Sequence, residues 1–176
     1  MSIRQGMLAL LADEPMYGAR LRSEFEARTG GTWPLNVGQV YTTLDRLGRD
    51  GLVAEAGEDD EGRTLYALTD AGRAEVAAWW GRPVDRSTTP RDELVIKLAL
   101  AVTVPGVDVR SVVQAQRTAT MAHMQSLTRE KARAQAAARG GGPDQLAWLL
   151  VLDNLVLAAD AESRWLDQVE DRLRRA

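Results

Sequence analysis

Apolar residues recur at helical spacing from the start of the chain. Ile3, Met7, Leu8, Leu10 and Leu11 mark a helix over Ile3 to Ala12, and Asp13-Glu14-Pro15 stops it as an acidic turn ending in proline should. A second helix is expected from Met16 or Tyr17 to Arg28, with Leu21 and Phe25 four apart and Gly30-Gly31 at its end. A third opens with Asn36 as N-cap and carries Val37, Val40, Tyr41, Leu44 and Leu47 on one face until Gly51. From Leu52 the period changes. Leu52-Val53-Ala54-Glu55-Ala56 and Thr64-Leu65-Tyr66-Ala67-Leu68 read as a hairpin around the polar loop Gly57 to Gly62. A fourth helix, capped by Thr69 or Asp70, runs through Val76 and Trp79-Trp80 to Gly81-Arg82-Pro83.

Beyond a polar connector at 82–90, every pattern is helical. A short apolar helix spans Asp92 to Thr103 and a long one spans Asp108 to Ala138. Arg139-Gly140-Gly141-Gly142-Pro143 breaks the chain, since three glycines and a proline cannot continue a helix. A last helix then reaches Arg174, so residues 91–176 read as an antiparallel helical hairpin behind a short helix. The last helix is apolar nearly all round between Leu146 and Ala159. One partner helix cannot cover such a surface, which predicts a second subunit. Asp153, Asn154 and Asp160 lie among these residues, either buried with partners that set the dimer register or facing solvent.

Composition narrows the chemistry. The 176 residues contain no cysteine and one histidine, His123, which excludes thiol nucleophiles, Cys/His zinc sites and disulfide frameworks. No metal or other cofactor is expected, and no nucleophile-base pair or phosphate-binding glycine loop suggests an enzyme. The longest apolar run falls short of the roughly 20 residues a membrane-spanning helix needs, and no secretory signal is visible. A cytoplasmic protein without a membrane partner is expected. The formal charge is -3. It is unevenly spread: residues 1–80 hold eight arginines and no lysine against thirteen carboxylates, so this half cannot bind a polyanion through bulk charge.

Three helices followed by a hairpin form the order of a winged helix-turn-helix, whose third helix enters the major groove of DNA. If Val37, Val40, Tyr41, Leu44 and Leu47 face the core, Gln39, Thr42, Thr43, Arg46 and Arg49 face outward. Gln suits adenine, Thr offers a hydroxyl and a methyl, and Arg reads guanine or holds phosphate. The helix N-terminus at Asn36 can hold a phosphate through its N–H groups, and the Tyr41 hydroxyl either reaches the backbone or belongs to a packed ring. Arg20, Arg22 and Arg28 are either backbone contacts or solvated charges facing Glu24 and Glu26.

The detailed motifs are more specific than the element order. Met7-Leu8-Ala9-Leu10-Leu11, Pro15-Met16-Tyr17-Gly18, the run Trp33 to Leu47, Gly51-Leu52-Val53, Gly62-Arg63 before Tyr66, and Leu68-Thr69-Asp70-Ala71-Gly72-Arg73 occur in order. Together they resemble the PadR family of bacterial transcriptional regulators over residues 3–80. More loosely, Arg91 to Leu100 and Ala161 to Leu166 resemble the longer helical C-terminal region of one of its subgroups.

The resemblance implies a mainly α protein: a winged helix-turn-helix DNA-binding domain at 1–81, a connector at 82–90, and a helical dimerisation and effector-binding domain at 91–176. It also implies a homodimer, joined through the C-terminal helices, that represses transcription from inverted repeats in double-stranded DNA and is released by a small aromatic or amphipathic effector. Trp79, Trp80, Trp148 and Trp165 are candidate effector contacts or plain packing residues. His123, on a stripe with Gln116, Thr120 and Leu127, is a hydrogen-bonded interface residue or a sensor.

Three departures from the family pattern stand out: Ala19 after the glycine of the second motif, Gly48 near the end of the third helix, and a wing in which Glu58-Asp59-Asp60-Glu61 precede a single basic residue, Arg63. That acidic tip repels phosphate. It favours slightly the rival reading of a ligand-sensing or protein-interaction module that has kept the winged-helix shape.

Overall fold

The computed structural model describes residues 3–87, 89–137 and 142–175. The chain separates into two compact units between Val84 and Asp85. The first comprises α1 (Ile3–Leu11), α2 (Gly18–Arg28), α3 (Val37–Arg49), β1 (Val53–Glu58), β2 (Thr64–Leu68) and α4 (Asp70–Gly81).

Local chemistry sets most boundaries. The Asn36 side chain accepts the Gln39 N–H at 2.7 Å and starts α3. At its other end the N–H of Leu52 returns to the Leu47 carbonyl at 2.9 Å around Gly51, whose φ of +71° suits glycine. This sharp stop turns the chain directly into β1. At Gly48, a departure from the family pattern, a Cβ would meet only the Val53 carbonyl oxygen at 3.9 Å, so no close approach requires the glycine.

The hairpin pairs Val53 with Leu68, Ala54 with Ala67, Glu55 with Tyr66 and Glu58 with Thr64, with an irregularity between Glu55 and Glu58. Its loop is Asp59 to Arg63, shorter than the six residues expected, because Gly57 and Glu58 stay in the strand. Met16 adds a short third rung: it exchanges both main-chain hydrogen bonds with Tyr66, at 3.1 and 3.0 Å. Thr69 then caps α4 by accepting the Gly72 N–H at 3.1 Å.

The core of this unit is built from Met7, Leu8, Leu11, Met16, Leu21, Phe25, Leu35, Val40, Leu44, Leu47, Val53, Leu68 and Val76 with their neighbours. Two residues expected on the buried stripe of α3 are not in it. Val37 is 49% exposed and Tyr41 is 42% exposed. Val37 occupies the first helical position, and Tyr41 lies over Gly18 at the flank of the helix.

In the second unit α5 (Glu93–Ala101), α6 (Val109–Ala137) and α7 (Pro143–Arg175) follow one another. Asp92 caps α5, and Asp108 accepts the Ser111 N–H at the start of α6. The expected end of the long helix at Ala138 and most of the following break, Arg139 to Gly141, lie outside the described residues, as does Thr88 of the connector. The helices α6 and α7 run antiparallel. Arg117 of α6 pairs with Asp167 and Glu170 of α7, and Lys131 pairs with Asp153.

Two apolar clusters fill this hairpin, Leu98–Val113–Leu166 and Leu127–Leu152–Ala159. Between them lies a polar layer in which Glu162 accepts from the Gln116 amide at 3.0 Å and from the hydroxyl of the buried Thr120. His123, three residues after Thr120 and four before Leu127, lies at the edge of that stripe and is exposed within the chain. The apolar circumference of α7 is only partly covered. Leu152 and Ala159 are buried, whereas Leu146, Leu150 and Leu157 are exposed. Asp160 pairs with Arg164 one turn on, and Asn154 faces outward.

Candidate nucleic-acid interface

The outward face of α3 carries Gln39, Thr42, Arg46 and Arg49, all exposed. Thr43 is half-buried, and its hydroxyl donates to the Gln39 carbonyl at 2.7 Å, so it is turned back on its own helix. The Asn36 side chain is likewise engaged in the cap, which leaves main-chain N–H groups as its means of meeting an anion. Tyr41 sits beside this face with its ring over Gly18. A Cβ on Gly18 would stand 2.8 Å from the Tyr41 Cζ, so glycine is what lets the ring lie there.

Ion pairing separates the arginines of the first unit into two groups. Arg4 pairs with Asp50, Arg20 with Glu14, Arg22 with Glu26, Arg28 with Asp13 and Glu24, Arg73 with Asp70 and Arg82 with Glu75. Arg63 pairs with Asp59 at 2.6 Å and with Glu61 at 2.8 Å. Arg46 and Arg49 have no carboxylate partner among the described residues; Arg49 donates only to the Asp45 main-chain carbonyl, at 3.4 Å. An acidic unit thus presents its uncompensated positive charge on α3. Each of Arg20, Arg22 and Arg28 is engaged by a carboxylate, Arg22 and Arg28 by the neighbouring Glu26 and Glu24 and Arg20 by Glu14.

The wing closes on itself. Asp59 accepts the N–H groups of Glu61 and Arg63 at 3.0 and 2.9 Å as well as the Arg63 guanidinium. The Arg63 N–H foremost, against the opposing effect of burial, holds the Asp59 carboxyl below its usual value. The same guanidinium lies 3.8 Å from the centre of the Tyr17 ring, joining the wing to the N-cap of α2. Behind the wing, burial first and the charge of Glu55 next raise the Tyr66 phenol above its ordinary value.

The candidate effector contacts are dispersed. Trp79 and Trp80 touch each other on α4 with ring centroids 4.4 Å apart, and Trp80 is 69% exposed. On α7, Trp165 packs with the Leu98–Val113–Leu166 cluster and Trp148 with the Leu127–Leu152 cluster. At 1.5 Å per residue they stand about 25 Å apart along the helix, so they share no site within the unit. Beside Trp148 a groove of about 570 Å³ runs between the end of α6 and the start of α7, bordered by Arg129, Arg133, Ala134 and Gln145. Among the described residues no group of three His, Asp or Glu side chains could hold a metal ion, and no helix is long and apolar enough to cross a membrane.

Sequence reasoning missed the Met16 rung, the Tyr41–Gly18 contact and the Tyr17–Arg63 contact. None has a periodic signature, since each joins segments that only folding brings together. The pairs Arg22–Glu26 and Arg28–Glu24, by contrast, were legible as i,i+4 spacings.

Comparison with known proteins gives the arrangement a context. Residues 7–78 match the transcriptional regulator PadR-like family, and residues 90–174 match the family described as virulence activator alpha C-term. A probable transcriptional regulator of Mycobacterium tuberculosis is 24% identical over 98% of both chains. Among solved structures, the virulence activator AphA of Vibrio cholerae is 25% identical, with a TM-score of 0.72 over 99% of both chains. PadR of Bacillus subtilis in complex with operator DNA is 21% identical, with a TM-score of 0.71 over 96% of both chains. The same protein in complex with p-coumaric acid is 22% identical, with a TM-score of 0.73 over 95% of both. These relatives regulate transcription and are not enzymes. The chain thus carries a PadR-like transcriptional-regulator domain in its winged helix-turn-helix unit, followed by a C-terminal domain of the virulence-activator type in its helical unit.

Proposed function

We propose that the protein is a cytoplasmic homodimeric repressor that binds an inverted-repeat operator through α3 and releases it when a small organic effector binds. The observation that carries the DNA-binding role is the unpaired state of Arg46 and Arg49 in a unit whose other arginines are all neutralised. Gln39 and Thr42 are assigned to base edges, with Thr43 contributing its methyl, Arg46 and Arg49 to guanine or phosphate, and Tyr41 and the N–H groups beginning at Asn36 to phosphates. Arg63, neutralised by two carboxylates, supports the wing and gives at most a secondary phosphate contact.

Dimerisation is assigned to residues 91–176. Leu146, Leu150 and Leu157 recur at i, i+4 and i+11 and form one exposed stripe on α7, an apolar surface of the kind a second subunit covers. Effector binding is assigned to the same unit. The Bacillus subtilis protein of like fold is known with operator DNA and with p-coumaric acid, and the groove beside Trp148 has a size suited to such a molecule. The acidic, self-closed wing favours the second reading, a sensing or protein-interaction module without DNA affinity.

A gel shift with a duplex from the chain's own promoter region, at several stated salt concentrations, separates the two readings. Specific retention that weakens with salt, and that falls at least tenfold in the Arg46→Ala/Arg49→Ala variant, supports the first. Equal mobility with and without protein at low salt sinks it, as does a footprint without two-fold symmetry.

A further inference from the structure

Within α3, Asp45 is the sole carboxylate. It stands exposed one turn beyond Thr42 and one turn before Arg49, on the face assigned above to DNA. Among the described residues it forms no ion pair, although Arg46 stands next to it and Arg49 four residues on; Arg49 donates to the main-chain oxygen of Asp45 and not to its carboxylate. Nine other carboxylates of this unit, Asp13, Glu14, Glu24, Glu26, Asp50, Asp59, Glu61, Asp70 and Glu75, are each engaged by an arginine. Asp45 is therefore an uncompensated negative charge in the one place where the unit displays uncompensated positive charge.

An ionised carboxylate only accepts hydrogen bonds. Facing phosphates it is repelled, so a site that keeps it must offer a donor in return. In the major groove the donors are the amino groups of cytosine and adenine. Adenine sets its amino group beside the N7 acceptor, a pair that suits an amide, whereas cytosine presents its amino group without an adjacent acceptor on the same base. The guanine opposite offers N7 and O6, the partners of a guanidinium, and Arg49 lies one turn from Asp45.

We infer that Asp45 is a specificity-determining residue that accepts a hydrogen bond from a cytosine amino group in each half-site, with Arg49 available to the guanine side of the same or the next pair. This rests on the DNA-binding reading above. Asp45 lowers affinity for DNA in general and regains it where a cytosine is correctly placed, so it sharpens discrimination at the expense of non-specific binding.

The experiment is selection from a random duplex library with the full-length wild type and with Asp45→Ala and Asp45→Asn, followed by affinities for a selected site and an unrelated duplex. The wild type is expected to retain sites with one fixed cytosine per half-site. Asp45→Ala loses the preference at that position alone, a change of about 5- to 150-fold in discrimination, while its affinity for the unrelated duplex rises. Identical base preferences in wild type and Asp45→Ala overturn the inference even if non-specific affinity rises, because the carboxylate then acts only as an electrostatic brake. Selected sites without a fixed cytosine overturn it too. Retention of no library DNA by the wild type is a different result, one that removes the DNA-binding reading together with this one.

Discussion

Gly72, in the first turn of α4, lies directly against the carbonyl group of Leu52. A Cβ at this position would overlap the Leu52 carbonyl oxygen and stand 3.1 Å from both its carbonyl carbon and the Leu68 Cδ2. The Leu52 carbonyl is not free to move, since it accepts the Thr69 N–H at 3.1 Å just ahead of the helix. Gly72 is thus the point at which α4 is seated on the base of the hairpin.

Gly72→Ala is accordingly expected to destabilise the chain by about 1–3 kcal/mol, the range for forcing extra atoms into a packed site. Urea denaturation followed by circular dichroism measures it. Gly18→Ala provides the contrast: its obstacle is the movable ring of Tyr41 and not main chain, so stability should change little while DNA affinity shifts with the displaced ring. Equal losses in both variants would contradict the distinction.

Removing the cap of α3 should matter on its own. Asn36→Ala leaves the Gln39 N–H without its 2.7 Å partner and should cost about 1 kcal/mol, whereas Asn36→Ser or Asn36→Asp should restore most of it. Thermal melts of the three variants at one pH decide the matter.

The wing has a definite pH response. Because its hydrogen bonds depress the Asp59 carboxyl, the stability they contribute is complete above the unfolded value of about 3.9 and is lost as pH falls through the lower folded value. In NMR spectra the amide signals of Glu61 and Arg63 should therefore move together only in strong acid. Asp59→Asn should abolish that shared step, and a midpoint above the unfolded value would show that the assigned hydrogen bonds are absent in solution.

Arg63 and Arg46 should separate cleanly in DNA binding. Arg46→Ala is expected to reduce the salt dependence of operator affinity by about one phosphate's worth per half-site if it meets the backbone, or to relax preference at one base by about 1–3 kcal/mol if it reads guanine. Arg63→Ala should change affinity by less than about threefold, because Asp59 and Glu61 already neutralise it, as exposed pairs of modest strength do. A larger loss for Arg63→Ala than for Arg46→Ala in the same gel-shift series would place the wing on the DNA.

The exposed leucines of α7 address assembly. Leu150 and Leu157 are 61% and 67% exposed within one chain. If a second copy covers them, Leu150→Glu/Leu157→Glu should yield monomers in light scattering with the helical content retained. Wild-type protein that is already monomeric at working concentrations would end the homodimer reading.

Much of the architecture was legible in the residues. Asn36, Thr69 and Asp92 announce helix starts because a cap is a contact between neighbours in sequence, and Gly51 ends α3 because a left-handed turn needs a glycine. Spacing also gave the outward face of α3, since a helix repeats every 3.6 residues. The same periodicity misassigned Val37 and Tyr41. It reports an angle around the helix axis and says nothing of where the neighbouring elements stop covering that side.

What the sequence by itself determined is therefore local: the order of helices and strands, their caps and breaks, the absence of thiol chemistry, and an acidic first half. What only the tertiary structure decided is which charges are cancelled. Arg4 finds Asp50, Arg28 finds Asp13 and Arg63 meets Tyr17 across separations that no repeat encodes, leaving Arg46, Arg49 and Asp45 as the unpaired groups of α3. Electrostatic interaction depends on distance in space, and distances between remote segments exist only once the core has closed.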